Sequence, residues 1–157
     1  MSISTRLQMG LLRCVKTCLV GALLTGCGTE PSPDVTGAWS LTTSYAGGDF
    51  TCTVLATLTL EGSGLSLSGI FAEEHVDCTN VGSPLTITPD TLSVFARVEG
   101  GTITFTPVSP DGGSGCADLN FEGRVHDDRI FGTVRTTPVF CQGTYLEMRG
   151  TWEAQRG

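Results

Sequence analysis

The chain is short of what most enzymes and nucleic-acid binders are built from. It has one lysine, Lys16, and two histidines, and aromatics make up 7% of its 157 residues. No Walker loop, H-E-x-x-H or C-x-x-C occurs, which removes the usual frameworks for cradling phosphate, for zinc peptidase chemistry and for dithiol exchange. The absence of a Gly-X-Y period or a heptad excludes collagen-like and coiled-coil architectures. No apolar run approaches the roughly 20 residues that cross a bilayer as a helix. Acids are missing from the first 27 residues, although the whole chain holds 16. What is present suits one globular domain: 39% hydrophobic residues are too many for a disordered chain, and the length is too short for two domains.

The acid-free leader has its own pattern. Arg6, Arg13 and Lys16 precede a short apolar stretch, Cys18 to Leu24, which ends in small residues. A basic region, an apolar region and a small-residue cleavage point predict a secretory signal peptide over residues 1–26. Leu24-Thr25-Gly26-Cys27 resembles the lipobox of bacterial lipoproteins. The resemblance implies a peptidase cut before Cys27 and acyl chains on that residue. Two or more chains would hold the protein stably on a membrane, where one would not. Residues 27–35, with the polar and Pro-containing GTEPSPDV after the cysteine, are expected to form a flexible tether. Gly28, where an Asp would favour retention in the inner membrane, implies the outer membrane of a Gram-negative bacterium. The expected location is therefore the cell envelope, with the membrane as partner through the lipid anchor.

Processing changes the charge. The mature chain keeps six Arg against 16 acids, a formal charge of −10 with no lysine. That argues against nucleic acid as a partner, because affinity there comes from neutralising phosphates. Cys14 and Cys18 leave with the leader and Cys27 is the anchor, so the domain retains Cys52, Cys78, Cys116 and Cys141. An even number in an exported chain predicts two disulfides, with three pairings open. A four-thiolate zinc site is disfavoured by the spacing and by an oxidising compartment, so no metal is expected.

From Thr36 onward the apolar residues recur with period two. Trp39, Leu41, Thr43 and Tyr45 share one face of a first strand, and Cys52, Val54, Ala56, Leu58 and Leu60 share one face of a second. A turn at Glu61-Gly62-Ser63-Gly64 leads to Leu65, Leu67, Gly69 and Phe71, with Glu73-Glu74-His75 ending the apolar face. Asp77 to Pro84 reads as a loop, Leu85 to Thr88 as a short strand, and Leu92 to Val98 as the first arm of a hairpin turning at Gly100-Gly101 toward Ile103 and Phe105. Ser109 to Gly115 (SPDGGSG) reads as the most flexible loop. Leu119 to Val125 and Ile130 to Arg135 flank a turn at His126-Asp127-Asp128. A last strand carries Leu146, Met148, Gly150, Trp152 and Ala154 on one face.

No helical period persists for three turns. The prediction is an all-β domain over 36–157, an up-and-down antiparallel β-barrel of about eight strands following the N-terminal signal peptide. Folding at 127–128 brings Cys116 within two places of Cys141, so these would join neighbouring strands. Cys52 and Cys78 would then pair across the second hairpin, but a turn at 62–63 sets Cys52 opposite residue 73 and requires a bulge or loop.

Two polar groups could carry chemistry: Glu73, Glu74, His75 and Asp77, and His126 with Asp127 and Asp128. Residues two apart on a strand share a face, so Glu73 with His75, or His75 with Asp77, could share a metal. Neither group has a third ligand set by spacing, and both suit solvated turns. Gly64-Leu65-Ser66-Leu67-Ser68 misses the nucleophile-elbow pattern at its fifth position. No catalytic residue and no cofactor is expected.

Gly37-Ala38-Trp39 resembles the G-x-W that opens lipocalin and avidin-type (calycin-type) barrels, with a second Trp in Gly150-Thr151-Trp152. The resemblance implies that Trp39 closes one barrel end and that a late-strand Arg packs across it. Arg149 is the nearest candidate, although its parity opposes Trp152. It also implies a function: a small apolar ligand bound in the barrel. On the apolar faces Ala56, Gly69, Ala96, Gly123 and Gly150 leave room for a cavity, although glycine also serves strand curvature. The alternative is a filled barrel acting on an envelope protein through its loops, such as an inhibitor of an envelope hydrolase.

Overall fold

The structure is a computed structural model that describes residues 32–109, 118–136, 139–141 and 144–157, with side chains described up to 136 and from 147 onward. Its strands are β1 (Gly37–Gly47), β2 (Phe50–Ser63), β3 (Ser66–Asn80), β4 (Ser83–Leu85), β5 (Thr91–Glu99), β6 (Thr102–Val108), β7 (Leu119–His126), β8 (Arg129–Thr136), β9 (Val139–Cys141), β10 (Thr144–Leu146) and β11 (Arg149–Arg156). Eight of them close a ring in the order β2-β1-β11-β8-β7-β6-β5-β3, with β3 pairing back to β2 and every pairing antiparallel. This is the predicted up-and-down barrel, and its architecture is compatible with a calycin-like fold. Closure removes the unpaired edges that an open sheet would expose. β4 adds to the end of β3, and β9 and β10 pair with each other as a separate hairpin.

The alternation found in the sequence is the inside–outside alternation of the wall. Trp39, Leu41 and Thr43 of β1, Val54 to Leu60 at every second position of β2, and Val94, Ala96 and Val98 of β5 are buried. Each large apolar side chain so removed from water contributes about 1.5–3 kcal/mol.

The two ends of the barrel differ. At one, called the base, three hairpins close through two-residue turns at Gly64-Leu65, Gly100-Gly101 and Asp127-Asp128. Gly100 and Gly101 both have positive φ (56° and 76°), as the hairpin turn that follows the strand twist requires. At the other, the mouth, lie the Gly48-Asp49 turn and the connection 81–90, and β6 and β8 end and β7 and β11 begin there.

Three local readings are corrected. First, the β2–β3 turn falls at Gly64-Leu65, two residues later than the sequence reading centred it. The register thus sets Gly69 opposite Leu60, and a Cβ on Gly69 would lie 1.9 Å from the Thr59 carbonyl oxygen, so the strands approach this closely only because glycine is there. Second, Asp77 to Asn80 belong to β3, the short strand is Ser83–Leu85, and residues 86–90 lie outside any strand. A bulge opposite Leu55/Ala56 leaves Glu74 unpaired and shifts the phase by one, so Val76 and Cys78 take over the inward positions. Third, the last strand starts at Arg149. Leu146 pairs with Val139 in the separate hairpin, and Met148 bonds Thr136 through its N–H to Oγ1 (2.8 Å) and its carbonyl from the Thr136 N–H (2.9 Å). A continuous parity across 146, 148 and 150 conceals that break.

The later turn and the bulge together supply the missing offset: Cys52 stands directly opposite Cys78, both buried, and they form a disulfide. Cys116, the Ser109–Gly115 loop beyond Ser109, and Cys27 lie outside the described residues. Cys141 is on β9 opposite Thr144.

Candidate functional site

The base is sealed by the segment through which the chain enters the barrel. Val35 is 1% exposed, and the Trp39 Nε1–H donates to its carbonyl at 2.9 Å. Arg156, opposite Trp39 in the β1–β11 register, lays its guanidinium 4.6 Å from the Trp39 ring centroid. It also donates to the Thr36 carbonyl (2.9 Å) and to the Asp34 carbonyl. The Arg across the Trp is therefore Arg156, in place of Arg149, which is exposed and bonds the neighbouring Glu147 carboxylate. Arg156 shares the parity of Trp152 and Ala154 in the sequence; the β1 register is what selects it.

The interior is packed with rings. Phe105 and Phe121 stack at 4.6 Å, Phe71 lies 5.8 Å from Phe121, and Trp152 presents its edge to Phe105 and Phe121 at 5.4 and 5.7 Å. The Trp152 Nε1–H donates to the Glu122 carbonyl at 3.1 Å. Gly123, expected to leave room, does so for this ring: a Cβ there would lie 2.5 Å from Trp152 Cζ2. At Gly150 a Cβ would meet the Ser44 carbonyl at 1.9 Å, so that position serves strand approach. Among the described residues no buried side-chain nitrogen or oxygen lacks a hydrogen-bond partner. Two grooves, of about 310 and 400 Å³, lie on the outer wall. One is lined by residues 104–106 and 120–122 with Arg135, the other by Ser40, Thr42 and residues 129–131 and 153–155.

The mouth is a half-buried apolar ring with one carboxylate in it. Tyr45, Val76, Leu92 and Leu119 pack on the core from above. Glu73 faces inward among them because the bulge follows it; its carboxylate accepts the Asp90 N–H at 3.1 Å, and its own N–H donates to the Asp90 carbonyl at 2.8 Å. Burial raises the Glu73 pKa from its ordinary value; the Asp90 N–H partly offsets this, and the Asp90 charge adds to the rise. Burial, with the Glu73 charge as a second cause, pushes the Tyr45 hydroxyl up to about 12. Nothing in the sequence joins these two residues, since the bulge is what turns Glu73 inward to the end of the barrel where Tyr45 lies.

The two polar groups singled out from the sequence do not converge. The bulge sends Glu73 inward and leaves His75 and Asp77 on the outer face, so Glu73 and His75 do not share a face. Glu74 accepts the Thr57 hydroxyl at 2.6 Å. His126 and Asp127 approach at 3.4 Å, both exposed. Among the described residues no three His, Cys, Asp or Glu side chains gather as a metal site. No protein-family model matches the chain, and neither does any curated protein.

Proposed function

We propose that the chain is an envelope lipoprotein, anchored through Cys27, whose barrel is a rigid protein-binding module without catalytic residues. The lipobox-like Leu24–Cys27 supports the anchor, and Gly28 supports the outer membrane of a Gram-negative bacterium. Of the two functions considered, a carrier of a small apolar molecule and a module that binds an envelope protein such as a hydrolase, the second is favoured by one observation. Trp152 occupies the space that Gly123 leaves, against the stacked Phe105 and Phe121. A small barrel either fills its interior with side chains or holds one ligand, and this one is filled at its aromatic layer. Binding then falls to the mouth, where half-buried apolar side chains are bordered by the exposed Gly48-Asp49 turn and connection 81–90, the arrangement of an apolar contact with a polar rim.

The experiment is a titration of the purified domain with a lipid and fatty-acid panel, following emission of Trp39 and Trp152. No saturable change is expected. Stoichiometric uptake with quenching would return the function to a carrier. In parallel, crosslinking in envelope fractions should recover a specific protein, with loss on changing Leu92 and Leu119 to Asp; a module that neither slows nor joins any envelope hydrolase excludes the inhibitor reading.

A further inference from the structure

We infer that the anchored protein stands with its base toward the membrane and its mouth toward the aqueous compartment, so that the mouth meets a water-borne partner and not bilayer lipid. This rests on the reading of Cys27 as the acylated residue.

Two independent observations carry it. The first is a length. Asp34, Val35 and Thr36 are tied to the base by Arg156 and Trp39, so at most the chain length from Cys27 to Asp34 separates the anchor from the base. The seven residue-to-residue steps from Cys27 to Asp34 span at most about 25 Å at roughly 3.3–3.6 Å each. The wall is taller. β2 has 14 residues, about 46 Å along the strand and about 35 Å of height at a tilt near 40°, but its last three residues overhang the base beyond Gly37, and the 11 residues level with β1 give about 28 Å. An inverted barrel would hold Asp34 about 28 Å above the bilayer, beyond that reach even with the tether fully extended.

The second is the charge distribution. Asp49, Glu73, Glu74, Asp77 and Asp90 gather toward the mouth, and neither the Gly48-Asp49 turn nor the connection 81–90 carries an Arg. Of the six Arg of the mature chain, Arg97, Arg124, Arg129 and Arg156 lie toward the base among Asp34, Glu61, Glu99, Asp127 and Asp128, and Arg135 and Arg149 lie toward the mouth, which remains the more acidic end. An anionic lipid surface repels the mouth more than the base, over a range of about 8 Å at physiological salt. Reach and charge select the same pose.

The mature chain has no lysine, so one introduced Lys is a selective amine for a fluorescent label, after subtraction of the unsubstituted protein. The full lipoprotein is placed in vesicles containing an acceptor-labelled lipid, with the donor on Ser63→Lys at the base or Ser83→Lys at the mouth. Both positions are exposed. Glu99→Lys and Asp49→Lys form a second pair, should either of the first fail to fold. Energy transfer from the base label should exceed that from the mouth label about twofold or more, given the height of about 35 Å. Equal transfer, or greater transfer from the mouth, overturns the orientation. Mass spectrometry of the N-terminal peptide separates the two readings: an unacylated Cys27 fails the anchor, whereas acylated protein with equal transfer fails the orientation alone.

Discussion

Replacing Gly123 by Ala tests whether the barrel interior is filled. The added methyl would stand 2.5 Å from Trp152 Cζ2, 3.1 Å from Ile130 Cγ2 and 3.2 Å from the Phe131 carbonyl oxygen, so the indole must retreat by about 1 Å to reach ordinary contact. It has little freedom to do so. Its N–H is bonded to the Glu122 carbonyl, and its edge abuts Phe105 and Phe121. Overpacking of this kind costs about 1–3 kcal/mol, while exchanging a strand Gly for Ala returns about 0.5–1 kcal/mol of backbone entropy. The net expectation is a loss of about 1–2 kcal/mol. In urea unfolding followed by far-ultraviolet circular dichroism, this lowers the midpoint by about 1 M for a slope near 1.5 kcal/mol/M. In a Trp152→Phe background the six-membered ring that meets position 123 is gone, and the same Gly123→Ala change should become neutral or stabilising. A loss that is absent in the natural background, or identical in both, would refute the claim that Trp152 fills this space, and with it the case against a carrier.

Removing the disulfide with Cys52→Ala and Cys78→Ala opens a link of sequence separation 26, which chain entropy values at about 3.5 kcal/mol; a change below about 1 kcal/mol in urea unfolding would show that the bridge does not constrain the unfolded chain. Arg156→Ala should cost about 1–3 kcal/mol through its stacking on Trp39 and its two carbonyl bonds, with Arg156→Lys recovering only part, measured as melting temperature alongside Trp emission. Glu73 has a folded pKa above its unfolded one, so its contribution is complete below about pH 4.3 and is lost as pH rises through the folded value. Glu73→Gln should therefore flatten stability against pH in that window and raise stability at pH 7; an unchanged profile contradicts the burial of this carboxylate. Tyr45, raised to about 12, favours the folded state until pH rises from about 10 toward that value; an ultraviolet titration should lose its component near pH 12 in Tyr45→Phe.

Much of the barrel was legible because inside–outside alternation is a local property of a strand. β1, β2, β5 and β7 bury the residues that period two selects, and the turns at Gly100-Gly101 and Asp127-Asp128 fall where glycine and aspartate allow positive φ. The mouth was less legible. One bulged residue, Glu74, reverses the parity of β3, so the acids that read as a solvated strand end divide into an inward Glu73 and an outward His75 and Asp77. The last strand failed in the opposite way, since its parity runs unbroken across Met148 while the pairing does not.

The sequence by itself determined an all-β domain, which faces form the core, an acidic mature chain without lysine, and a leader ending at a lipobox-like cysteine. These follow from composition and from patterns that span a few residues. Tertiary structure decided that Cys52 meets Cys78, that Arg156 and not Arg149 covers Trp39, and that Trp152 fills the gap beside Gly123. Each depends on a register set across the closed ring, where distant strands must match in height and small residues are read against the large ones they admit. Whether a glycine marks a cavity or a neighbour's ring is a property of the packing around it, and only the folded barrel contains that neighbour.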